Sequence, residues 1–110
     1  DTDDNWLTHT TVVCFSEFSR TSMLNAQGGR DHSLTNATLM VGGRTRPGVV
    51  GASSNVGMEP QAIDIATGEL DSGGEVILPE HILRGLMVNA GIEEDIADLR
   101  VDGLPAAFQT

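Results

Sequence analysis

The sequence predicts a small α/β domain, because it combines two runs typical of buried strands with one amphipathic helix. Residues 10–16 and 37–41 are short runs of β-branched and apolar residues, a pattern typical of strands buried on both faces. Residues 79–90 carry apolar side chains at helical spacing. A chain of 110 residues is long enough for one domain, residues 1–110, and too short for two.

The amino-terminal part begins with a polar, acidic stretch, residues 1–9, which we expect to form a loop or a frayed end. The first strand, residues 10–16, contains Cys14, the only cysteine of the chain. An internal disulfide and a cysteine-based zinc site are therefore excluded. The apolar neighbours of Cys14 predict a buried, inert thiol.

A long polar loop follows, residues 19–33, and long loops inside compact domains are often functional. The second strand, residues 37–41, ends at a pair of glycines, and residues 49–50 suggest another short extended piece. Asn36 opens a glycosylation sequon, but the sequon runs into the predicted strand, so we interpret it as structural.

Residues 62–78 allow two interpretations. Residues 62–70 and 75–78 would form a hairpin around the Asp-Ser-Gly-Gly turn at 71–74, which supplies the positive φ angles such a turn needs. The alternative is an irregular surface excursion with a tight turn. The sequence leaves both open.

The clearest element is the helix predicted over residues 79–90. Pro79 suits the first helical position, Glu80 suits the first turn, and Gly91 is a good residue just beyond the end. One face is apolar and is expected to pack in the core: Ile82, Leu83, Leu86, Met87 and Ala90. His81, in the first turn, is expected to be solvated. A second short helix is predicted over residues 93–99.

Charge and hydrophobicity exclude two classes of partner. Sixteen acidic residues against six basic ones give a net charge of −10, which repels a phosphate backbone, so we expect no nucleic-acid binding. No apolar run approaches the roughly 20 residues of a transmembrane helix. Two or three short strands with one good helix do not make a self-sufficient sheet covered on both faces, so a further chain or segment is expected to complete it.

The densest group of chemically capable side chains lies between the two strands. Glu17 follows the first strand, and the loop adds Arg20, Arg30, Asp31 and His32. Such groups at the carboxyl ends of strands occupy the usual ligand position of an open α/β sheet. Carboxylate oxygen and imidazole nitrogen are suitable ligands for a divalent metal. The competing interpretation is structural, with Asp31 as a turn former and His32 as an ordinary loop residue.

The same region resembles a known family. The run VVCFSEFSRTSMLNAQGGRDHSLTNATLMVGG is similar to the VV-x-x-SEFGRT…GRDH…GG segment typical of a bacterial family known as domain of unknown function fifteen-oh-one. The stretches GGEVILPEHILRGLMVNAGI and RVDGLPAAF resemble its closing helix and tail, so the resemblance spans residues 10–108. It implies the carboxy-terminal third of a larger protein of the alkaline phosphatase and sulfatase superfamily, with a three-layer α/β fold and a periplasmic or secreted location.

The resemblance also implies roles for the loop residues. His32 would be a metal ligand, with Asp31 and Glu17 beside it, and the ion would be zinc, manganese or calcium. Arg20 or Arg30 would hold an anionic substrate. Two positions depart from the pattern: Phe18 stands where related enzymes have a histidine, and Ser19 stands where the family has glycine.

Three functions follow as expectations. The first is a fragment or subunit of a secreted, metal-dependent hydrolase of phosphoric or sulfuric esters. Its nucleophile would lie outside this chain, on another chain or on the amino-terminal part of the same protein. The second is a non-catalytic interaction or assembly subunit that keeps the hydrolase-like fold. The third is a small acidic binding module unrelated to either.

Overall fold

The structure is a computed structural model that describes residues 4–92 and 102–109. In chain order the elements are α1 (Trp6–His9), β1 (Thr11–Cys14), β2 (Ser19–Arg20), β3 (His32–Ser33), β4 (Leu39–Gly42), α2 (Pro79–Asn89) and a 3-10 helix (Pro105–Ala107). Helices together with antiparallel strands confirm the coarse prediction of a small α/β chain. The second helix predicted at 93–99 falls outside the described residues.

The strands form two separate two-stranded sheets. β1 and β4 correspond to the two predicted strands, and they pair antiparallel with Val12 opposite Val41 and Cys14 opposite Leu39. β2 and β3 pair antiparallel within the stretch that was predicted as a loop. The loop prediction for residues 19–33 is therefore wrong at both ends of that stretch, where short strands form.

The prediction that β1 and β4 are buried on both faces is wrong in this chain. Burial alternates along both strands, because successive side chains of a strand point to opposite faces. Val12, Cys14, Leu39 and Val41 share one exposed face, which we call the open face. The prediction of a buried Cys14 thiol is wrong for the same reason, since Cys14 lies on the open face.

The amino-terminal stretch forms a short helix rather than the predicted loop. Asn5 caps α1, because its Oδ1 accepts a hydrogen bond from the Thr8 backbone N–H at 3.1 Å. The Gly43 N–H donates to the Leu7 carbonyl at 2.9 Å and ties α1 to the end of β4. Gly42 allows the chain to pass close to its neighbour, since a Cβ there would lie 2.5 Å from the Thr10 carbonyl oxygen.

Of the two interpretations offered for residues 62–78, the irregular excursion is correct. Ile63 makes isolated bridges to Leu70 and to Glu75, with no continuous ladder in the described residues. The turn at 71–74 is held by the Asp71 carboxylate, which accepts the Gly73 N–H at 2.9 Å. Residues 49–50 also lie outside any strand of the described chain.

Helix α2 confirms the clearest sequence prediction. It begins at Pro79 and ends at Asn89, and Gly91 adopts a φ of 82°, which suits the residue just beyond a helix. Its inner side packs on a core built around Ile63 and the tail residue Phe108. The core residues and their partly buried neighbours are Ile63, Leu104, Ala107, Phe108, Met40, Val50, Ile65, Ile77, Ile82 and Leu86.

The prediction of a solvated His81 is wrong. Its side chain is 2% exposed, because it lies on the inner side of α2. Its Nδ1 accepts the Leu78 backbone N–H at 2.9 Å, and its Nε2 lies 3.0 Å from Glu75 Oε2. Among residues 4–92 and 102–109, none of the helices has the length and hydrophobicity of a membrane-spanning segment.

Candidate functional site

The β2–β3 ladder brings the predicted site residues together. Arg20 lies directly opposite His32, and Ser19 lies opposite Ser33. The Thr21 N–H donates to the Asp31 carbonyl at 2.9 Å, which continues the pairing by one residue. All five candidates are in this hairpin or next to it: Glu17, Arg20, Arg30, Asp31 and His32. The sequence therefore identified the correct segment, although it did not predict the strand pairing that joins its two ends.

One face of the hairpin carries a stacked group of three side chains. The rings of Phe18 and His32 are stacked with their centroids 3.5 Å apart and an interplanar angle of 23°. The guanidinium carbon of Arg20 lies 4.9 Å from the centroid of the Phe18 ring, within cation–π range. We call Phe18, Arg20 and His32 the Phe18 face. Sequence reasoning treated Phe18 only as a departure from the family pattern, yet this ring is what holds the other two.

Asp31 does not share this face. Adjacent residues of an extended chain point to opposite sides, so Asp31 and His32 diverge. The Asp31 carboxylate instead accepts a hydrogen bond from Asn25 Nδ2 at 3.0 Å. Glu17 is exposed and lies between the end of β1 and the start of β2. The hairpin thus collects the candidates in one segment. The carboxylates of Glu17 and Asp31 and the imidazole of His32 are not grouped around one point.

The loop that joins β2 to β3 is ordered by two side chains. Asn25 Oδ1 accepts the Gln27 N–H at 3.0 Å and the Gly29 N–H at 2.9 Å, an Asx-type turn that the Asn-Ala-Gln-Gly sequence favours. Arg30 Nη1 donates to the carbonyls of Thr21 and Ser22. One amino group of Arg30 is therefore committed to holding the loop.

Arg20 is bound to the same loop but stays exposed. Its Nη1 donates to the Arg30 carbonyl at 3.0 Å, and its side chain lies at the surface. Among the described residues, neither ring nitrogen of His32 has a hydrogen-bond partner. Both side chains therefore keep N–H groups or lone pairs that a ligand can meet.

A divalent metal ion is the ligand that the family resemblance implies for this segment. Within residues 4–92 and 102–109, no three His, Cys, Asp or Glu side chains are placed to hold one. The assignment of His32, Asp31 and Glu17 as ligands rests on the family resemblance and stays a prediction. Metal-bound histidines usually have a carboxylate or carbonyl as neighbour, whereas His32 has a phenyl ring and, on the same face of the hairpin, a guanidinium.

Asn36 anchors the hairpin to β1. Its Nδ2 donates to the Ser16 carbonyl at 2.6 Å, and its Oδ1 accepts from the Ser16 hydroxyl at 3.2 Å and from the Ala37 N–H at 2.8 Å. The side-chain amide of the sequon is thus engaged with the backbone, in agreement with the structural interpretation of this motif.

Comparison with known families decides the affiliation of the chain. The model of the family described as "Protein of unknown function (DUF1501)" matches residues 2–71. The chain belongs to this family. The match contains β1 to β4 and all five candidate residues, and it confirms the affiliation predicted from the SEF and GRDH motifs. No curated protein and no solved structure matches the chain.

Proposed function

We propose that this DUF1501 chain is one part of a secreted or periplasmic hydrolase of phosphoric or sulfuric esters. Its site is completed by another chain or by another part of the same protein. The observation that carries the proposal is the β2–β3 hairpin, which sets the exposed Arg20 directly opposite His32. Esters of this class carry a negative charge, and charge-assisted donors are the groups that hold such an anion.

The arginines of the hairpin matter because the rest of the molecule is acidic. The net charge of −10 disfavours an anionic ligand over most of the surface. Arg20 and Arg30 are two of only six basic residues, and both belong to this one hairpin. An anionic substrate would therefore be recognised here through local donors rather than through a long-range field.

The open face supports the second half of the proposal, that the fold is completed from outside. Val12 and Leu39 are 50% and 62% exposed, although both lie in the β1–β4 ladder. A layer of helices or strands over this face would convert the sheet into the inner layer of a three-layer α/β fold. This proposal includes three further points: the alkaline-phosphatase-like architecture, the position in the carboxy-terminal third of a larger protein, and the dependence on zinc, manganese or calcium.

The test is hydrolysis of p-nitrophenyl phosphate and p-nitrophenyl sulfate by the protein together with any chains that copurify with it. Assays in zinc, manganese and calcium should yield turnover with at least one ester. Arg20→Ala should lower kcat/KM by about tenfold, the usual effect of one charge-assisted hydrogen bond. Arg46→Ala removes an equal charge outside the hairpin and should leave kcat/KM unchanged. Absence of turnover under all these conditions would overturn the hydrolase proposal.

The second candidate is a non-catalytic interaction or assembly subunit that keeps the hydrolase-like fold. The stacking of Phe18 on His32 favours it, because this ring occupies the position at which related enzymes are expected to place a histidine. The open face favours it as well. A stable stoichiometric complex that turns over neither ester, and whose formation is lost on Leu39→Asp, would select this candidate over the first.

A further inference from the structure

We propose that Arg20 and His32, positioned by Phe18, form a metal-independent binding site for a tetrahedral oxyanion, the phosphate or sulfate group of an ester. The proposal deepens the hydrolase function and rests on it for the ester class. It assigns to His32 a role different from the metal ligand implied by the family resemblance. Binding of the anion itself can be measured without turnover.

The geometry places two donors side by side on a fixed support. Arg20 and His32 are directly opposed in the β2–β3 ladder, where facing side chains lie about 5 Å apart at Cβ. Both side chains lie against the Phe18 ring. The His32 and Phe18 centroids are 3.5 Å apart, and the Arg20 guanidinium carbon lies 4.9 Å from the Phe18 centroid. A tetrahedral oxyanion accepts donors from several directions, so it can bridge N–H groups of two side chains that share one face of the hairpin.

The support has hydrogen bonds of its own, independent of any ligand. Arg30 clamps the backbone of Thr21 and Ser22, and Asn25 closes the turn at Gly29. Arg20 Nη1 is oriented by the Arg30 carbonyl at 3.0 Å, which leaves its remaining N–H groups for the anion. Preorganised donors lose less conformational entropy on binding than free side chains do.

The surroundings of His32 disfavour a cation. The guanidinium of Arg20 would repel a divalent ion at this face, since like charges a few ångström apart repel even near the surface. The nearest acidic residue in sequence, Asp31, points to the opposite side and already accepts a hydrogen bond from Asn25. Glu17 is the other carboxylate of the segment; it lies outside the ladder and is exposed. The Arg20 guanidinium and the His32 imidazole both lie against the Phe18 ring and can both donate hydrogen bonds. Such a pair of donors favours an oxyanion over a metal ion.

The experiment is a titration of the 110-residue chain with inorganic phosphate and, separately, with inorganic sulfate, followed by NMR in the presence of EDTA. Saturable shifts should appear at His32 and at the Arg20 side chain with both anions. Arg20→Ala and His32→Ala should each weaken binding by about tenfold, the effect of losing one charge-assisted or ligand hydrogen bond. Phe18→Leu should weaken it several-fold, because the donors lose their common support while keeping their own chemistry.

Two controls make the result specific. Arg46→Ala and His9→Ala remove the same residue types at exposed positions outside the hairpin, and both should bind like the unmodified chain. Circular dichroism identifies any variant that has not folded. If Arg20→Ala does not fold, Arg20→Lys tests the same position. Its affinity for the anion should fall at most several-fold, because lysine keeps the positive charge but lacks the two-pronged guanidinium.

Three results would overturn the proposal. They are the absence of saturable shifts with either anion, an equal loss in the Arg46→Ala control, and anion binding that appears only after zinc or manganese is added. In the last case His32 is a metal ligand after all. Binding of both anions without ester turnover would support this anion site and contradict the hydrolase function. Failure of the anion site and failure of the hydrolase function are therefore distinguishable.

Discussion

His81 shows how one polar side chain joins two parts of the fold. Because Nδ1 accepts the Leu78 N–H, that nitrogen carries no proton, and Nε2–H donates to the Glu75 carboxylate. Glu75 in turn exchanges two backbone hydrogen bonds with Ile63, the most buried residue of the core. The imidazole thus caps the first turn of α2 and links it to the excursion. Glu and Gln are the usual residues at this third helical position whose side chains accept the N–H of the N-cap residue.

Replacing His81 with Ala should therefore destabilise the chain by about 2–4 kcal/mol, or abolish its cooperative unfolding transition. The variant leaves the part-buried Leu78 N–H without its acceptor and opens a cavity where the buried imidazole was. His9→Ala is the matched control, because His9 is exposed and its ring bonds the exposed Asp4 side chain; it should change the free energy of unfolding by less than about 0.5 kcal/mol. Urea denaturation of both variants gives the comparison. Equal stabilities would show that the imidazole is not a cap.

At the scale of the element, helix α2 was predictable and the hairpin was only partly so. Pro79, the apolar periodicity and Gly91 are local signals, and they fixed both ends of α2 within one residue. The positions of β1 and β4 were also readable from their β-branched runs. Their exposure was not, because the burial of a strand depends on what covers it and no local pattern reports that.

The candidate site shows the same division. The sequence located residues 17–32, but the stacking of Phe18 on His32 follows from the β2–β3 register. Strands of two residues leave almost no periodic signal in the sequence, yet the register in which they pair decides which side chains share a face. For this reason the sequence groups Asp31 with His32, whereas the register directs the two side chains to opposite sides of the hairpin.

Gly85 offers a test of how α2 is seated on the core. A Cβ at this position would lie 2.5 Å from Phe108 Cε2, so Gly85→Ala forces the tail ring away from the helix. Alanine gains about 1 kcal/mol of helix propensity, but overpacking costs about 1–3 kcal/mol. We expect a net loss of stability of about 0–2 kcal/mol in urea denaturation.

Gly29→Ala provides the comparison for this substitution. A Cβ there would meet only Asn25, at 3.6 Å, which is ordinary van der Waals contact. This variant should keep the stability of the unmodified chain. If Gly85→Ala were the more stable of the two, Phe108 would not pack on α2 in solution as the structure has it.

At the scale of the whole molecule, the chain buries too little apolar surface for its length. Its radius of gyration is 16.1 Å, whereas a compact chain of this size has about 13 Å. Only five hydrophobic residues are buried among those described, and Trp6, Phe15 and Leu34 are 90%, 76% and 101% exposed. Exposed apolar area on this scale marks interaction surfaces, so the proposed covering by another chain or segment has a physical reason beyond the family resemblance.

Cys14 reports on that covering, because it is exposed, unique and located on the open face. Maleimide should label Cys14 rapidly in the isolated chain. It should label it at least about tenfold more slowly in a preparation that contains the completing chain or segment, since burial of a thiol limits access and disfavours its reactive thiolate. The reference is Cys14→Ser combined with Ser72→Cys, which moves the thiol to an exposed loop away from the open face. The reference should react at the same rate in both preparations. If Cys14 also reacts equally fast in both, the open face stays uncovered, and the completed three-layer fold would have to be abandoned.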